Sequence, residues 1–291
     1  MPATPTQLPA SIKLPGADGL TLAACEWSRQ GVPLVFVHGY GNDLHVWDEI
    51  CPSFASHYRT LALTLRGHGD SDRDPEARYD HGSMARDLEA ALDAAGCERV
   101  VIVGHSMGAR VAMRFAGDHP ERMAGFAIVD SAPSLDARGV TRIRLEARSG
   151  PVSFEFVEEY ARLLTEHYPV TKPATLRTLA SHWLREGPDG RFSMKLDPKL
   201  RSGARDADPD EMRKAMAEEE KLLWSALESL PCPALVVRGA ASDVFDPDTA
   251  DRMVDEVLPD ARLAVVPRSG HSVMLDNPEG FVEVLSDFVL G

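Results

Sequence analysis

Short apolar segments recur along the chain and alternate with longer amphipathic segments. Short continuous apolar runs are typical of strands that are buried on both faces of a parallel sheet. Such runs predict strands at residues 34–37, 60–65, 100–103, 126–129, 235–237 and 263–266. Apolar residues at helical spacing predict helices near residues 84–95, 107–118, 247–257 and 278–289. This alternation predicts an α/β fold with helices on both sides of a mostly parallel sheet.

The alternation stops between residues 134 and 230, where the sequence predicts helices only. Asp208 followed by Pro209 is typical of a helix start, and a long charged segment follows it. We therefore expect an α/β core formed by residues 1–133 and 231–291, with residues 134–230 inserted as a helical cap. The first dozen residues carry three prolines and are expected to form a loose arm.

Composition narrows the function classes. The chain has 291 residues and a formal net charge of −14, and such an acidic surface disfavours binding to nucleic acid or to membrane lipids. No apolar run approaches the roughly 20 residues that span a bilayer, and no secretory signal is visible at the N-terminus. The four cysteines are widely spaced and form no CxxC pair, which favours free thiols and disfavours zinc. We expect a cytoplasmic enzyme with a small-molecule substrate and no metal; the oligomeric state stays open, with a homodimer as one option.

The strongest chemical signal is GHSMG at residues 104–108, which fits the pattern G-x-S-x-G. A predicted strand leads into the motif and a predicted helix leads out of it. A serine on this strained turn points its oxygen above the sheet, and the flanking glycines avoid collisions where strand and helix cross. The sequence therefore predicts that Ser106 is a nucleophile.

A serine hydroxyl needs a base, and the base needs an orienting acid. His271 follows the last predicted strand and precedes the C-terminal helix, so it is the best candidate base. Asp243 lies in the loop after the strand at 235–237, and the chain order Ser106, Asp243, His271 is the order expected for this type of site. Asp246 and Asp130, which ends the strand at 126–129, stay open as alternative acids.

The loop after the first apolar strand reads HGYGND at residues 38–43. Its glycines allow the backbone to approach a substrate carbonyl closely. The N–H groups of Tyr40 and Met107 are the expected oxyanion donors, the latter because it begins a helix. Tyr40, Trp47 and His105 are the expected substrate-binding side chains.

Together the segments HGYGND, RGHGDS, GHSMG, RGAASD and SGHS resemble the α/β-hydrolase superfamily, and in particular its capped bacterial members. Those members include carboxylesterases, lactonases, amide hydrolases and carbon–carbon bond hydrolases. The resemblance implies a Ser–His–Asp triad, a two-amide oxyanion hole and no cofactor. Thr64 departs from the pattern, since relatives often carry aspartate there.

The dehalogenases and epoxide hydrolases of this superfamily carry an aspartate nucleophile at the position of Ser106, so the serine excludes these two classes of enzyme. The leading expectation is hydrolysis of an ester or lactone through an acyl-enzyme on Ser106. Hydrolysis of an amide or carbon–carbon bond with the same triad is the first alternative. A small-ligand receptor with slow turnover is a second alternative, from another class of protein.

Overall fold

The computed structural model describes residues 9–202 and 208–291. Within these ranges the strands are β1 (Ala10–Pro15), β2 (Thr21–Glu26), β3 (Pro33–Val37), β4 (Arg59–Leu63), β5 (Val100–His105), β6 (Met123–Val129), β7 (Ser153–Phe154), β8 (Leu184–Glu186), β9 (Phe192–Met194), β10 (Ala234–Gly239) and β11 (Ala261–Val266). The α-helices are α1 (His81–Ala94), α2 (Met107–Asp118), α3 (Ala137–Ser149), α4 (Val157–His167), α5 (Pro173–Trp183), α6 (Pro198–Ser202), α7 (Pro209–Glu228), α8 (Pro247–Arg252), α9 (Val273–Asp276) and α10 (Pro278–Val289).

The main sheet has the strand order β1-β2-β4-β3-β5-β6-β10-β11. β1 and β2 run antiparallel to their neighbours, and the pairs from β4 to β11 are parallel. The six predicted strands are the parallel ones. The residues of β3, β4, β5, β6 and β10 are almost all buried because the sheet is covered on both faces, whereas the edge strand β11 is mostly only partly buried. The predicted α/β-hydrolase fold class is therefore confirmed.

The helices α1, α2 and α10 lie close to their predicted positions, and the predicted helix at 247–257 is α8 followed by a π-helical turn at Met253–Val257. One hydrophobic cluster includes residues of α1, α2, β3 and β5, and a second includes residues of β3, α9 and α10. Because all parallel strands end at the same edge of the sheet, the loops after β3, β5, β6, β10 and β11 meet there.

The structure differs from the expectation at the N-terminal end. Residues 1–8 of the expected arm lie outside the described residues, but Ala10–Pro15 forms a strand rather than a loose segment. This strand is mostly exposed, so it carries no continuous apolar run that would reveal it in the sequence.

The sequence predicts only helices between residues 134 and 230, and this expectation is wrong. β7, β9 and β8 form a small antiparallel sheet beside α4 and α5. In addition, α7 packs against α2, and Leu223 and Leu227 of α7 are buried in the same cluster as Met113 and Phe115. The last part of the interval is thus packed on the core, and the division at residues 134 and 230 stays a prediction.

Candidate active site

Ser106 occupies a sharp turn between β5 and α2. Its backbone has φ 51° and ψ −118°, a strained conformation for a residue other than glycine. A Cβ on Gly104 would lie 2.8 Å from the Ala109 nitrogen, and one on Gly108 would lie 2.4 Å from the His38 oxygen. Both glycines are therefore required by close backbone approach, which holds the Ser106 turn in place.

His271 lies in the loop between β11 and α9 and faces Ser106. Its Nε2 is 3.0 Å from Ser106 Oγ, and its Nδ1 is 2.8 Å from Asp130 Oδ2. The imidazole is largely buried, with 13% of the side chain exposed. Ser106, His271 and Asp130 thus form a continuous chain of hydrogen bonds, the arrangement in which an imidazole can accept a proton from a hydroxyl.

Asp130 follows β6 directly, and its side chain is fully buried. Gly239 donates its backbone N–H to Asp130 Oδ1 at 2.8 Å, and Ser242 donates its hydroxyl to Oδ2 at 2.5 Å. Together with His271, these contacts give the carboxylate three hydrogen-bonding partners. Because both oxygens of this buried carboxylate have hydrogen-bond donors, it is held in place and keeps the imidazole in one orientation.

Asp243 does not occupy the predicted position beside His271, so this expectation is corrected. Arg142 of α3 donates from Nε to Asp243 Oδ2 at 2.7 Å and from Nη2 to Oδ1 at 2.8 Å. The hydrogen bond from Arg142 holds the pKa of Asp243 below its usual value. The side chain is 47% exposed, because the turn that points Ser242 inward at Asp130 points Asp243 outward toward the cap.

The other alternative acid, Asp246, is a helix cap. Its Oδ1 accepts the backbone N–H of Thr249 at 2.9 Å in the first turn of α8. Of the three acids left open by the sequence, only Asp130 is hydrogen-bonded to His271. The loop after β10 is part of the site, but it does not supply the acid. It supplies Gly239 and Ser242, which donate hydrogen bonds to the acid.

The loop after β3 lies directly against the nucleophile. A Cβ on Gly39 would lie 3.1 Å from the Ser106 Cβ, so glycine at position 39 is what lets the loop come this close to the nucleophile. In the part of the chain that the structure describes, the N–H groups of Tyr40 and Met107 donate to no protein acceptor. The two groups predicted as oxyanion donors are therefore free to bind a ligand.

The three predicted substrate-binding side chains differ in position. Tyr40 lines the cavity above Ser106. Trp47 does not, which corrects that expectation: it is fully buried and packs against Phe36 and Phe281. Its large apolar ring fills the core beneath the site instead.

His105 borders the cavity but lies below its surface, with 2% of the residue exposed. Its Nε2 is 2.9 Å from the His271 carbonyl oxygen, and the two rings are 4.8 Å apart. Burial holds the pKa of His105 well below its usual value, so the ring is neutral. Its contacts position the His271 loop rather than a substrate.

A cavity of about 450 Å³ opens above Ser106 and His271 and is covered by the inserted segment. Its apolar lining from that segment includes Ile143, Leu163, Leu164, Met194 and Leu196. Tyr160, Tyr168 and Arg201 add polar groups, and Tyr168 donates its hydroxyl to Asn42 Oδ1. Burial raises the pKa of both tyrosines, so their hydroxyls are neutral donors.

A profile of the α/β hydrolase fold family matches residues 32–278 of this sequence. Because the match spans most of the chain, the protein belongs to the α/β hydrolase fold family. In the described residues, no helix is long and apolar enough to cross a membrane.

Individual relatives have different activities. A pimeloyl-[acyl-carrier protein] methyl ester esterase of Aeromonas hydrophila is 29% identical over 89% of this chain and 96% of its own. A fluoroacetate dehalogenase of a Burkholderia species is 25% identical over 91% of this chain and 89% of its own. The crystal structure of an E-2-(acetamidomethylene)succinate hydrolase superposes with a TM-score of 0.83 at 22% identity, covering 98% of this chain and all of that one. The family is that of hydrolases, and membership alone does not select the bond that is cleaved.

Proposed function

We propose that the protein is a serine hydrolase that cleaves a carboxylic ester or lactone through an acyl-enzyme on Ser106. One observation carries the proposal: the hydrogen-bonded series Ser106, His271 and Asp130 lies at the floor of a covered cavity. The serine distinguishes this site from one that uses an aspartate nucleophile. The esterase among the relatives supports the choice of an ester.

In the first step His271 Nε2 accepts the proton of Ser106 as the hydroxyl oxygen attacks the substrate carbonyl carbon. The negative charge that develops on the carbonyl oxygen is stabilised by the N–H groups of Tyr40 and Met107. Asp130 stabilises the imidazolium without taking its proton. His271 then protonates the leaving alkoxide, and the acyl group remains on Ser106.

In the second step a water molecule gives a proton to His271 and attacks the acyl-enzyme. The tetrahedral intermediate collapses, Ser106 regains its proton from His271, and the carboxylic acid leaves. No electron carrier or external reactant other than water is required. The four cysteines are buried free thiols, which supports the further proposal that the enzyme acts in a reducing compartment such as the cytoplasm.

The test combines p-nitrophenyl esters of increasing acyl length with a fluorophosphonate probe read by intact mass. We expect the wild-type chain to turn over at least one ester and to take up one probe per chain. Ser106→Ala should abolish labelling and lower kcat by about 10⁴-fold or more. Near-normal turnover by Ser106→Ala would overturn the proposal.

The same assay, extended to acetanilides and ring-cleavage products, separates the alternatives. A slow receptor would label on Ser106 but show no ester turnover above that of the alanine variant. An amide or carbon–carbon bond hydrolase would label and turn over acetanilides or ring-cleavage products faster than any ester in the panel.

A further inference from the structure

Two histidines and an aspartate meet where the inserted segment contacts the core, away from Ser106. His45 lies in a 3-10 turn, Leu44–Trp47, that follows the Tyr40 loop, and Asp48 comes just after this turn. His182 lies in the last turn of α5. One ligand atom from each of the three residues lies within 4.8 Å of the other two, and all three side chains are partly accessible to solvent.

The three side chains are held in place by their surroundings. The rings of His45 and His182 stack with centroids 3.5 Å apart, and His45 Nδ1 is 2.8 Å from Asp48 Oδ2. Buried Asp43 fixes both sides of the junction, because its Oδ1 accepts the backbone N–H of His45 and the indole N–H of Trp183, next to His182. The cluster therefore brings together the core turn and the cap helix at a defined distance.

We propose that His45, Asp48 and His182 form a binding site for a divalent transition-metal ion such as Zn²⁺. Imidazole nitrogens with one carboxylate suit Zn²⁺, Ni²⁺ or Cu²⁺, whereas Mg²⁺ and Ca²⁺ prefer oxygen ligands. Ligands bound at about 2.1 Å around a tetrahedral ion lie roughly 3.4 Å apart, and the candidate ligand atoms already lie within 4.8 Å of one another. The stacked rings must turn to converge on the ion, and water completes its coordination.

Charged groups surround the cluster. Burial and neighbouring His45 lower the pKa of His182. Burial also lowers the pKa of His45, but the hydrogen bond that His45 donates to Asp48 and the charges of Asp43 and Asp48 together raise it. Asp43 attracts a cation, and Lys195, which is hydrogen-bonded to Asp70, is the neighbouring positive charge.

Metal binding at this place links α5 to the turn beyond the Tyr40 loop. Since one ligand comes from the inserted segment and two from the core, the ion restrains the segment that covers the cavity. No sequence motif marks the site, because His182 is more than a hundred residues away from His45 and Asp48, and the cysteine pattern argued against zinc. The inference does not depend on the reaction proposed above.

The test is equilibrium dialysis of the full chain against Zn²⁺ at pH 7.5, followed by metal analysis and thermal unfolding. We expect one Zn²⁺ per chain and a Zn²⁺-dependent rise in Tm in the wild type, but not with Mg²⁺. His45→Ala and His182→Ala should each weaken binding by about tenfold or more, since each removes one of three ligands. His57→Ala, which changes an exposed histidine elsewhere, is the matched control and should bind like the wild type.

The restraint has its own readout in hydrogen exchange. Zn²⁺ should slow exchange in α5 of the wild type and have no effect on α5 of His182→Ala. The proposal is overturned if wild-type protein retains no Zn²⁺, or if both alanine variants bind it as tightly as His57→Ala.

Discussion

The backbone of Asp130 shows why its carboxylate meets the imidazole. Its φ of 47° turns the chain at the end of β6, while its N–H still donates to the Val237 carbonyl of β10. The side chain is thereby directed under the loop after β10, where Gly239 and Ser242 bind it. A positive φ at a residue other than glycine is uncommon and costs about 1–3 kcal/mol, so the contacts around Asp130 must offset it.

This geometry gives a prediction that separates the two acids. Asp130→Asn should lower kcat by about 10³–10⁴-fold, because an amide does not stabilise the imidazolium and favours the wrong tautomer of His271. Asp243→Asn should keep kcat within about tenfold of the wild type, since its carboxylate contacts Arg142 instead. The measurement is steady-state turnover of the best ester. A larger loss in the Asp243 variant would restore the acid that the sequence favoured.

At the scale of elements, a buried ionic cluster fastens the loop after β4 to α1. Arg66 is fully buried and donates to both oxygens of Asp87 in α1, at 2.5 and 2.7 Å, and to Asp74 at 2.9 Å. Two carboxylates in this interior position need a cation beside them. The motif RGHGDS, which the sequence analysis used only as part of a resemblance, therefore has a structural role.

Arg66→Met should lower the free energy of unfolding by about 3–5 kcal/mol, because it leaves the buried carboxylate of Asp87 without its cationic partner, whereas Asp74 keeps Arg78. Arg213→Met is the control, since Arg213 is 79% exposed and its partner Asp210 is 83% exposed, and a loss below about 1 kcal/mol is expected for such a surface pair. Urea unfolding at pH 7 measures both. Equal losses in the two variants would show that the buried cluster contributes no more than a surface pair.

Whether an element can be predicted from the sequence depends on whether its residues form a recognisable apolar pattern. Buried parallel strands have a continuous apolar run, and amphipathic helices have a periodic apolar pattern. The predicted bounds of β3, β5 and α2 therefore lie close to the observed ones. The cap strands β7 to β9 have two or three residues each, which is too short for any period. The partner of His271 depends on the direction of side chains in two neighbouring loops, and neither Asp130 nor Asp243 reveals that direction in the sequence.

At the scale of the whole molecule, side-chain contacts fasten the inserted segment to the core around the cavity. Tyr168 donates to Asn42, Thr171 donates to Asp276 at 2.7 Å, and Trp183 donates to Asp43 at 3.0 Å. The bidentate pair of Arg142 and Asp243 is the ionic contact beside the cavity mouth. It is half exposed, so it contributes little free energy, and its contribution depends on pH.

The sign of that dependence follows from the carboxylate. The hydrogen bond from Arg142 lowers the pKa of Asp243 in the folded state, so the pair stabilises the fold above the ordinary aspartate pKa of about 3.9. The stabilisation is lost as the pH falls through the lowered folded value. A double-mutant cycle of Arg142→Ala and Asp243→Asn, read by urea unfolding, should give a coupling of about 1 kcal/mol or less at pH 7. The cycle cancels the separate contact of Arg142 with Glu146.

We expect the coupling to be constant from pH 7 to pH 5 and to shrink toward pH 3, and to be weaker in 1 M salt than in 0.1 M salt because the pair is accessible to ions. Histidine protonation would instead change the coupling between pH 7 and pH 5, where Asp243 stays ionised. A coupling that falls already in that interval would therefore assign its pH dependence to a histidine rather than to Asp243, and a coupling that is undiminished at pH 3 would mean that Asp243 is not its source.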